Sequence, residues 1–491
     1  MKEKTTVAIG SIVLSSSAYI STTIMFIVSI LFARYLEKDV FGLYLFVISL
    51  SAIIYLFTNF GVDGLSFYFI SRNKDKRSDV AKSIILLSTK IKLILTTLIL
   101  IILTAIGFYD YRYWYVAIFL VAFVPNKYTR GLLEALQHFR LAGQLQIIES
   151  IVKLILIYAI LTYITTTQLS IILFAIIIPM LISSILATRA ILGTLPKTAP
   201  VNLRSLKAEA YHYGKWFALG SILTPIMGNI VQVTLGLLNE YTTLAVFGIG
   251  KTLSNLVIIL GTSFKSAMLP SFLKKSEIHD ISSALTRSIR YPLIISIFLA
   301  FLIHSISYPF ITFFYTIKYA ESAIIFEILS YGILFNIVFI GLPPATTAAG
   351  RPDIHIKISI INVIILVSSA IILIPLYGAF GAAIAITSGL IVGTTAYALV
   401  THKYLKYSFP WKTLSKCIIA SSLAILPSQI IEVSQIYKII LNIGVGSMLY
   451  ILILYIIKEI QPEDTELMQE CIKRIRRYRL WDKIMLSSYP E

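Results

Sequence analysis

A few charged side chains sit inside long apolar runs, at spacings that bring acid and base together. Glu149-Ser-Ile-Val-Lys153 places a carboxylate and an ammonium at i and i+4, one helical turn apart. A bare charge in hydrocarbon costs several kcal/mol, so such residues are rare in membrane spans and face protein or water. Two roles stay open for Lys153: ligand of an anionic phosphate, or partner neutralised by Glu149. Both hold if an arriving anion breaks the pair. Arg130 and Glu134 repeat the i,i+4 spacing, where a structural pair is the simpler reading. Lys251, in Gly248-Ile-Gly-Lys251, has no acid one turn away; it either lines a cavity or snorkels outward on its long stem. Asp63, flanked by Gly61 and Gly64, and Glu327 are the other deep acids. Asp63 can also cap backbone groups freed by the glycines, and Glu327 lies near a helix end. His304 and His355 read as interfacial. No metal-ligand spacing, nucleophile motif or cofactor motif accompanies these residues, so the chemistry is binding and movement of charge, not catalysis.

The elements that position them follow from composition. Of 491 residues 57% are hydrophobic and 13% charged, about half the roughly 25% charged content of soluble domains. A span takes about 20 apolar residues, and the apolar total suffices for about 14. Apolar runs fall near residues 10–33, 40–70, 82–108, 113–136, 143–164, 168–192, 211–237, 242–268, 288–308, 321–346, 354–374, 377–400, 413–430 and 436–458. The fold class is an all-α polytopic membrane protein with about 14 helices. The stretch from Thr5 to Leu31 is too long for a signal-peptide core and reads as the first span.

The net charge is +18. Even-numbered connections hold Arg72, Lys74, Lys76, Arg77, Arg140, Arg189, Lys197, Arg204, Lys274, Lys275, Arg287, Arg351, Lys403 and Lys406, whereas odd-numbered ones hold Arg34, Lys38, Arg112, Lys318 and almost no other cation. Because Lys and Arg resist translocation, this alternation predicts a cell-membrane protein with both termini cytoplasmic, and it accounts for the charge without nucleic acid. The short odd-numbered loops leave no room for a large external catalytic domain. Beyond Gln461-Pro-Glu-Asp464, apolar residues at helical spacing among Lys473, Arg474, Arg476, Arg477 and Arg479 predict a basic amphipathic helix on the anionic cytoplasmic leaflet.

The chain also reads as duplicated. Gly10-Ser-Ile and Val40-Phe-Gly42 recur as Gly220-Ser-Ile and Val246-Phe-Gly248, about 206 to 210 residues later. Six spans per repeat is an even number, so both copies insert in the same sense, related by an axis along the membrane normal. The expected organisation is an N-lobe over 1–195, a linker over 196–210, a C-lobe over 211–402, two further helices over 403–459 and the basic tail over 460–491.

Leu31-Phe-Ala-Arg-Tyr-Leu36, Phe41-Gly-Leu-Tyr44 and Phe60-Gly-Val-Asp63 resemble the N-terminal signature of the polysaccharide-biosynthesis (O-antigen-repeat or oligosaccharide) flippases. These belong to the multidrug/oligosaccharidyl-lipid/polysaccharide exporter superfamily. Ala349-Gly-Arg-Pro352, then Asn362 and Ile374-Pro-Leu-Tyr-Gly-Ala-Phe-Gly-Ala-Ala-Ile-Ala385, resemble a second block of that family. The resemblance implies two six-helix lobes plus two C-terminal helices. It also implies a cavity for a polyprenyl phosphate- or pyrophosphate-linked oligosaccharide, loaded from the cytoplasmic leaflet and released outside by alternating access. Substrate cations would come from Lys153, Lys251 and Arg130. H+ or Na+ coupling would fall to Asp63, Glu327 and Glu149. The rival readings are a cation-coupled multidrug exporter of the same superfamily, a membrane glycan polymerase or ligase, and a non-transporting scaffold.

Overall fold

The computed structural model describes residues 2–59, 62–72, 79–164, 167–195, 226–273, 278–351, 353–430 and 435–459. The expected linker, the seventh run before residue 226 and the basic tail lie outside the described residues. No strand occurs among those described, and 11 helices are long and apolar enough to cross a membrane.

The first bundle holds α1 (Lys2–Tyr35), α2 (Lys38–Asn59), α3 (Val62–Arg72), α4 (Asp79–Gly107), α5 (Arg112–Ala135), α6 (Phe139–Ala159, continued by a π turn Ile160–Ile164) and α7 (Leu169–Thr194). The run read as one span over 40–70 is thus two helices. Asn59 at the end of α2 accepts the Asp63 backbone N–H at 3.0 Å, satisfying a free donor in the first turn of α3. The second bundle holds α8 (Ile226–Leu237), α9 (Tyr241–Leu273), α10 (Ile278–Tyr315), α11 (Ser322–Val338), short α12 (Leu342–Ala348) and α13 (Asp353–Leu405). α14 (Trp411–Ile430), α15 (Gln435–Leu441) and α16 (Ser447–Ile456) follow and pack on α10.

α13 is two antiparallel arms, as the separate runs 354–374 and 377–400 require. Gly378 sits at φ +54°, a backbone that L side chains rarely adopt. The second arm folds back so closely that a Cβ on Gly393 would lie 1.2 Å from Asn362 Oδ1. Gly381, Gly389 and Gly393 lie on this packing face, as small residues do where membrane helices approach closely.

In the first bundle α5 touches α2, α3, α4, α6 and α7; in the second α11 packs against α9, α10 and α13. Two ends of the molecule are distinguished by the connections they carry. One has Lys38, Asp110, Asn239, Lys318 and Gly378; the other has Gln137, Arg351 and Lys406. They are called the Lys38 end and the Arg351 end.

At the Arg351 end, Glu459 ties the last helices to the second bundle. It accepts from Lys416 (2.9 Å) and Thr413 (2.8 Å) of α14 and from Arg290 of α10 (3.2 Å). Burial pushes the Glu459 carboxyl up, but the bonds from Lys416, Thr413 and Arg290 outweigh it and hold the group below the ordinary carboxylate range. A carboxylate with a depressed folded pKa contributes stability above its unfolded pKa and loses it as pH falls through the folded value. The tie is therefore expected to hold at neutral pH and fail only as pH falls below the ordinary carboxylate range. Glu459→Gln should bring that loosening to neutral pH. Amide exchange in α16 at both pH values checks this; identical exchange in the two proteins would remove the assigned role.

Candidate functional site

At the Lys38 end the two bundles are clasped by cations that each reach into the opposite bundle. Helix C-termini leave carbonyls without intrahelical partners and carry partial negative charge. Arg34 at the end of α1 donates from Nε to Phe314 O and from Nη2 to Phe313 O, both at 2.8 Å, at the end of α10. Lys318, just past α10, reaches the other way and donates to Leu36 O at 3.1 Å. Arg112, opening α5, donates to Asn239 Oδ1 (2.5 Å) and Tyr241 OH (2.6 Å). It is held in place by Asp110, whose carboxyl Arg112 keeps below its ordinary range. Ser29 of α1 bonds the Tyr315 hydroxyl at 2.7 Å. Between these clasps the backbones nearly touch, since a Cβ on Gly42 of α2 would sit 1.9 Å from Tyr241 O of α9.

Deeper in, Tyr19 of α1 donates to Ile259 O of α9 at 3.0 Å, a second crossing between bundles. Between the two layers of contact lies a chamber of about 260 Å³, walled by α1, α2 and α9. Its polar groups are Ser21, Thr22, Ser29, Thr252 and Asn255; its aromatic wall includes Phe26, Phe32 and Tyr44. Among the described residues the lining contains no carboxylate.

Three of the expected site residues converge next to this chamber. Glu149 of α6, 6% exposed, accepts from Lys153 Nζ at 2.6 Å, from Arg130 Nη2 at 2.9 Å and from Asn126 Nδ2 at 2.8 Å. Asn126 also donates to Met180 O of α7 at 3.2 Å, so the knot joins α5, α6 and α7. Lys127 lies over the Phe123 ring, 5.8 Å from its centroid. Phe123, Lys127, Arg130 and Glu134 form one stripe of α5 at i, i+4, i+7 and i+11, and two cations, Lys153 and Arg130, pair with one deeply buried acid. Arg130 therefore pairs with Glu149 and not with Glu134, because Glu149 is held ready by Asn126 and Lys153 across the α5–α6 contact. Ser150, beside Glu149, hydrogen-bonds Ser21 of the chamber wall.

The remaining expected residues lie apart from the knot. Lys251 of α9 donates to Gly228 O and Gln232 Oε1 of α8, although the next residue, Thr252, lines the chamber. Asp63 pairs with Lys92 of α4 at 2.9 Å and accepts from Tyr55 OH at 2.5 Å. Lys92 also lies over the Tyr55 and Tyr128 rings, 4.6 and 5.0 Å from their centroids. Sequence reasoning missed Lys92; its signal was a lysine about 20 Å along α4, at 1.5 Å per residue, within an apolar helix. Glu327 of α11 meets His304 Nδ1 at 2.9 Å and the Ser307 hydroxyl, both on α10, and Tyr331 OH at 3.4 Å.

Lys251→Met keeps the stem and removes the donor. It is expected to leave the Gly228 carbonyl and Gln232 unpaired, costing about 1–3 kcal/mol. Thermal melting of the purified protein should record that loss, together with a drop in transport. Wild-type stability and transport in this variant would remove Lys251 from both roles.

Residues 7–276 match the family described as "Polysaccharide biosynthesis protein". The capsular polysaccharide biosynthesis protein CapF of Staphylococcus aureus is 30% identical over 193 residues, 37% of this chain and 45% of that protein. The chain thus spans less than half the length of that curated relative. Among solved structures, the lipid II flippase MurJ in an inward closed conformation superposes with a TM-score of 0.70 at 18% identity, over 91% of this chain and 99% of that one. An inward-facing multidrug resistance MATE transporter of the MOP superfamily gives 0.63 at 14% identity, over 78% of this chain and 94% of that one. The chain has the two-lobed fold of these transporters and belongs to the polysaccharide biosynthesis protein family.

Proposed function

We propose that the protein is a flippase that carries a lipid-linked oligosaccharide, its head joined through phosphate or pyrophosphate to a polyprenyl chain, from the cytoplasmic to the external leaflet for surface polysaccharide assembly. The observation that carries this reading is the chamber between two bundles, closed at one end by bonds that run only from bundle to bundle. Breaking them and making others at the opposite end is what alternating access requires. The lobes are 1–195 and 211–402, with the Lys38 end outside and both termini in the cytoplasm. The loop-cation alternation supports that sidedness, and the conformation described is then closed to the outside. A head bearing phosphate is drawn by the excess of cations in the Arg130–Lys153 knot and by Lys251, while the hydroxyl-rich sugar finds Ser, Thr, Asn and aromatic partners in the chamber. H+ or Na+ coupling falls to the half-buried carboxylates of Asp63 and Glu327, with Glu149 released when substrate takes its cations. Among the described residues the chamber lining holds no carboxylate, which supports an anionic substrate over an organic cation.

Depleting the protein is expected to accumulate the lipid-linked intermediate in the cytoplasmic leaflet, read by its protection from an impermeant sugar-modifying reagent added outside. An unchanged leaflet distribution would refute the reading. Cysteines placed at Asn239 and at Gln144 should label from outside and inside respectively; the reverse pattern would overturn the sidedness while leaving the flippase intact.

A further inference from the structure

A second cavity lies wholly in the second bundle, away from the chamber and its charged neighbours. It encloses about 950 Å³ between α10, α11, the second arm of α13 and the start of α14, near the upper end of the roughly 300–1,000 Å³ spanned by ligand pockets. Its inner walls are apolar, with Leu293, Ile297, Leu334, Phe335 and Ala398 among them. It opens sideways onto the helix surface that faces the bilayer, where lining Leu399 is 67% exposed. Along α13 the slot and its mouth run from Thr395 to the helix end at Leu405, about 15 Å at 1.5 Å per residue. One leaflet of a hydrocarbon core about 30 Å thick is about 15 Å deep. The slot, mouth included, therefore spans about a single leaflet.

Its mouth is polar and cationic. Lys406 follows the last turn of α13 at φ +47°, and its backbone N–H donates to His402 O at 2.8 Å. This left-handed cap ends the helix and sends the chain across the mouth. His402 Nδ1 is engaged by Tyr407 O at 2.8 Å, which leaves Nε2 at the opening. Lys403, Lys406 and Lys412 make no ion pair among the described residues, whereas the nearby Glu459 is already held by Arg290 and Lys416. Trp411, 71% exposed at the rim, has the amphipathic character of residues that settle at headgroup level. Basic pockets between membrane helices recognise anionic headgroups, and an apolar slot beneath such a mouth accommodates the upper part of an acyl chain.

We propose that this slot is a binding site for an anionic phospholipid of the surrounding leaflet, its acyl chain between α10, α11 and α13 and its phosphate at Lys406. Fit of length, lateral opening and charge select a bilayer lipid; a polyprenyl carrier, longer than one leaflet is deep, overruns the slot. The proposal does not depend on which substrate crosses the chamber.

The test is native mass spectrometry of the full-length detergent-purified protein titrated with phosphatidylglycerol or phosphatidylcholine of equal chain length. The wild type is expected to retain phosphatidylglycerol at least fivefold better. Lys406→Glu should abolish that preference, and Ala398→Trp, which fills the slot, should remove retention of both lipids. An unchanged melting temperature and elution profile for each variant establish that it is folded. Lys406→Glu alters a solvent-facing turn only, so it serves should Ala398→Trp fail to fold. Equal retention of the two lipids by the wild type would overturn the proposal, as would an equal drop in Arg140→Glu, a distant cation at the same end. Displacement of phosphatidylglycerol by polyprenyl phosphate with no reverse competition would also overturn it, giving the slot to the carrier lipid.

Discussion

Replacing Glu149 by alanine is expected to be the most damaging single change in the first bundle. Its carboxylate is the common acceptor for Lys153, Arg130 and Asn126. Truncation leaves Lys153, 9% exposed, without its counter-charge. Removing one partner of a buried pair typically costs about 3–5 kcal/mol, because the other charge stays buried and uncompensated. Glu149→Ala should therefore lower the yield of folded protein and the melting temperature, and abolish transport. The informative comparison is the double variant Glu149→Gln with Lys153→Met, which removes both charges and keeps the shapes. Stability should return in part, since Lys153 is no longer an orphaned charge and the two sites are directly coupled, while the half-buried Arg130 still lacks its acid. Transport should not return, because the cations that draw the substrate phosphate have lost a member and the acid that releases them is gone. Full recovery of both would make the knot a structural pair only.

How much of this was legible beforehand depends on whether an interaction runs along one helix or between helices. Most of the spans, the hairpin around Gly378 and the Glu149–Lys153 pair are written in local spacing and are present among the described residues, although the run over 40–70 divides into two helices. Arg130 shows the limit. Its same-helix neighbour Glu134 was the visible partner, yet it bonds an acid 19 residues away, because Asn126 and Lys153 hold Glu149 in place across a contact that no spacing encodes. The Asp63–Lys92 pair was hidden for the same reason, its halves lying on different helices. The cations Arg34, Lys38, Arg112 and Lys318 are the most instructive. Along the chain they read only as exceptions on the cation-poor side of the loop alternation. In three dimensions Arg34, Arg112 and Lys318 cross from one bundle to the other, while Lys38 lies 5.5 Å from the Tyr319 ring centroid of the opposite bundle. A statistical rule about insertion has no way to distinguish a stray loop charge from a clasp.

Those clasps lead to the second large effect, at a residue with no charge at all. Gly42 of α2 faces the Tyr241 backbone so tightly that a Cβ would lie 1.9 Å from its carbonyl oxygen and 2.9 Å from its Cα. The neighbouring approaches are similar, with a Cβ on Gly236 meeting Phe46 at 2.0 Å and one on Gly248 meeting Leu45 at 2.1 Å. A flexible leucine tip can move aside, but the Tyr241 backbone at the start of α9 cannot. Gly42→Leu must therefore either unfold a helix or hold the bundles apart at the Lys38 end. The second is the cheaper outcome. Each bundle has its own internal packing, and the clasps that would open, from Arg34, Arg112 and Lys318, are exposed or half-buried bonds from charged donors worth about 1.5–3 kcal/mol each. The variant is expected to fold, to lose transport by at least tenfold, and to expose Ser29, which lies behind the clasp bonded to Tyr315. A cysteine at position 29 should then react with a water-soluble maleimide from the Lys38 side much faster in the Gly42→Leu background than with glycine at 42. Gly42→Ala, with the smallest side chain that still meets the carbonyl, should fall between the two. If Gly42→Leu transports normally and position 29 stays protected, the closed contact between α2 and α9 is not part of the transport cycle, and the gate must be sought elsewhere between the lobes.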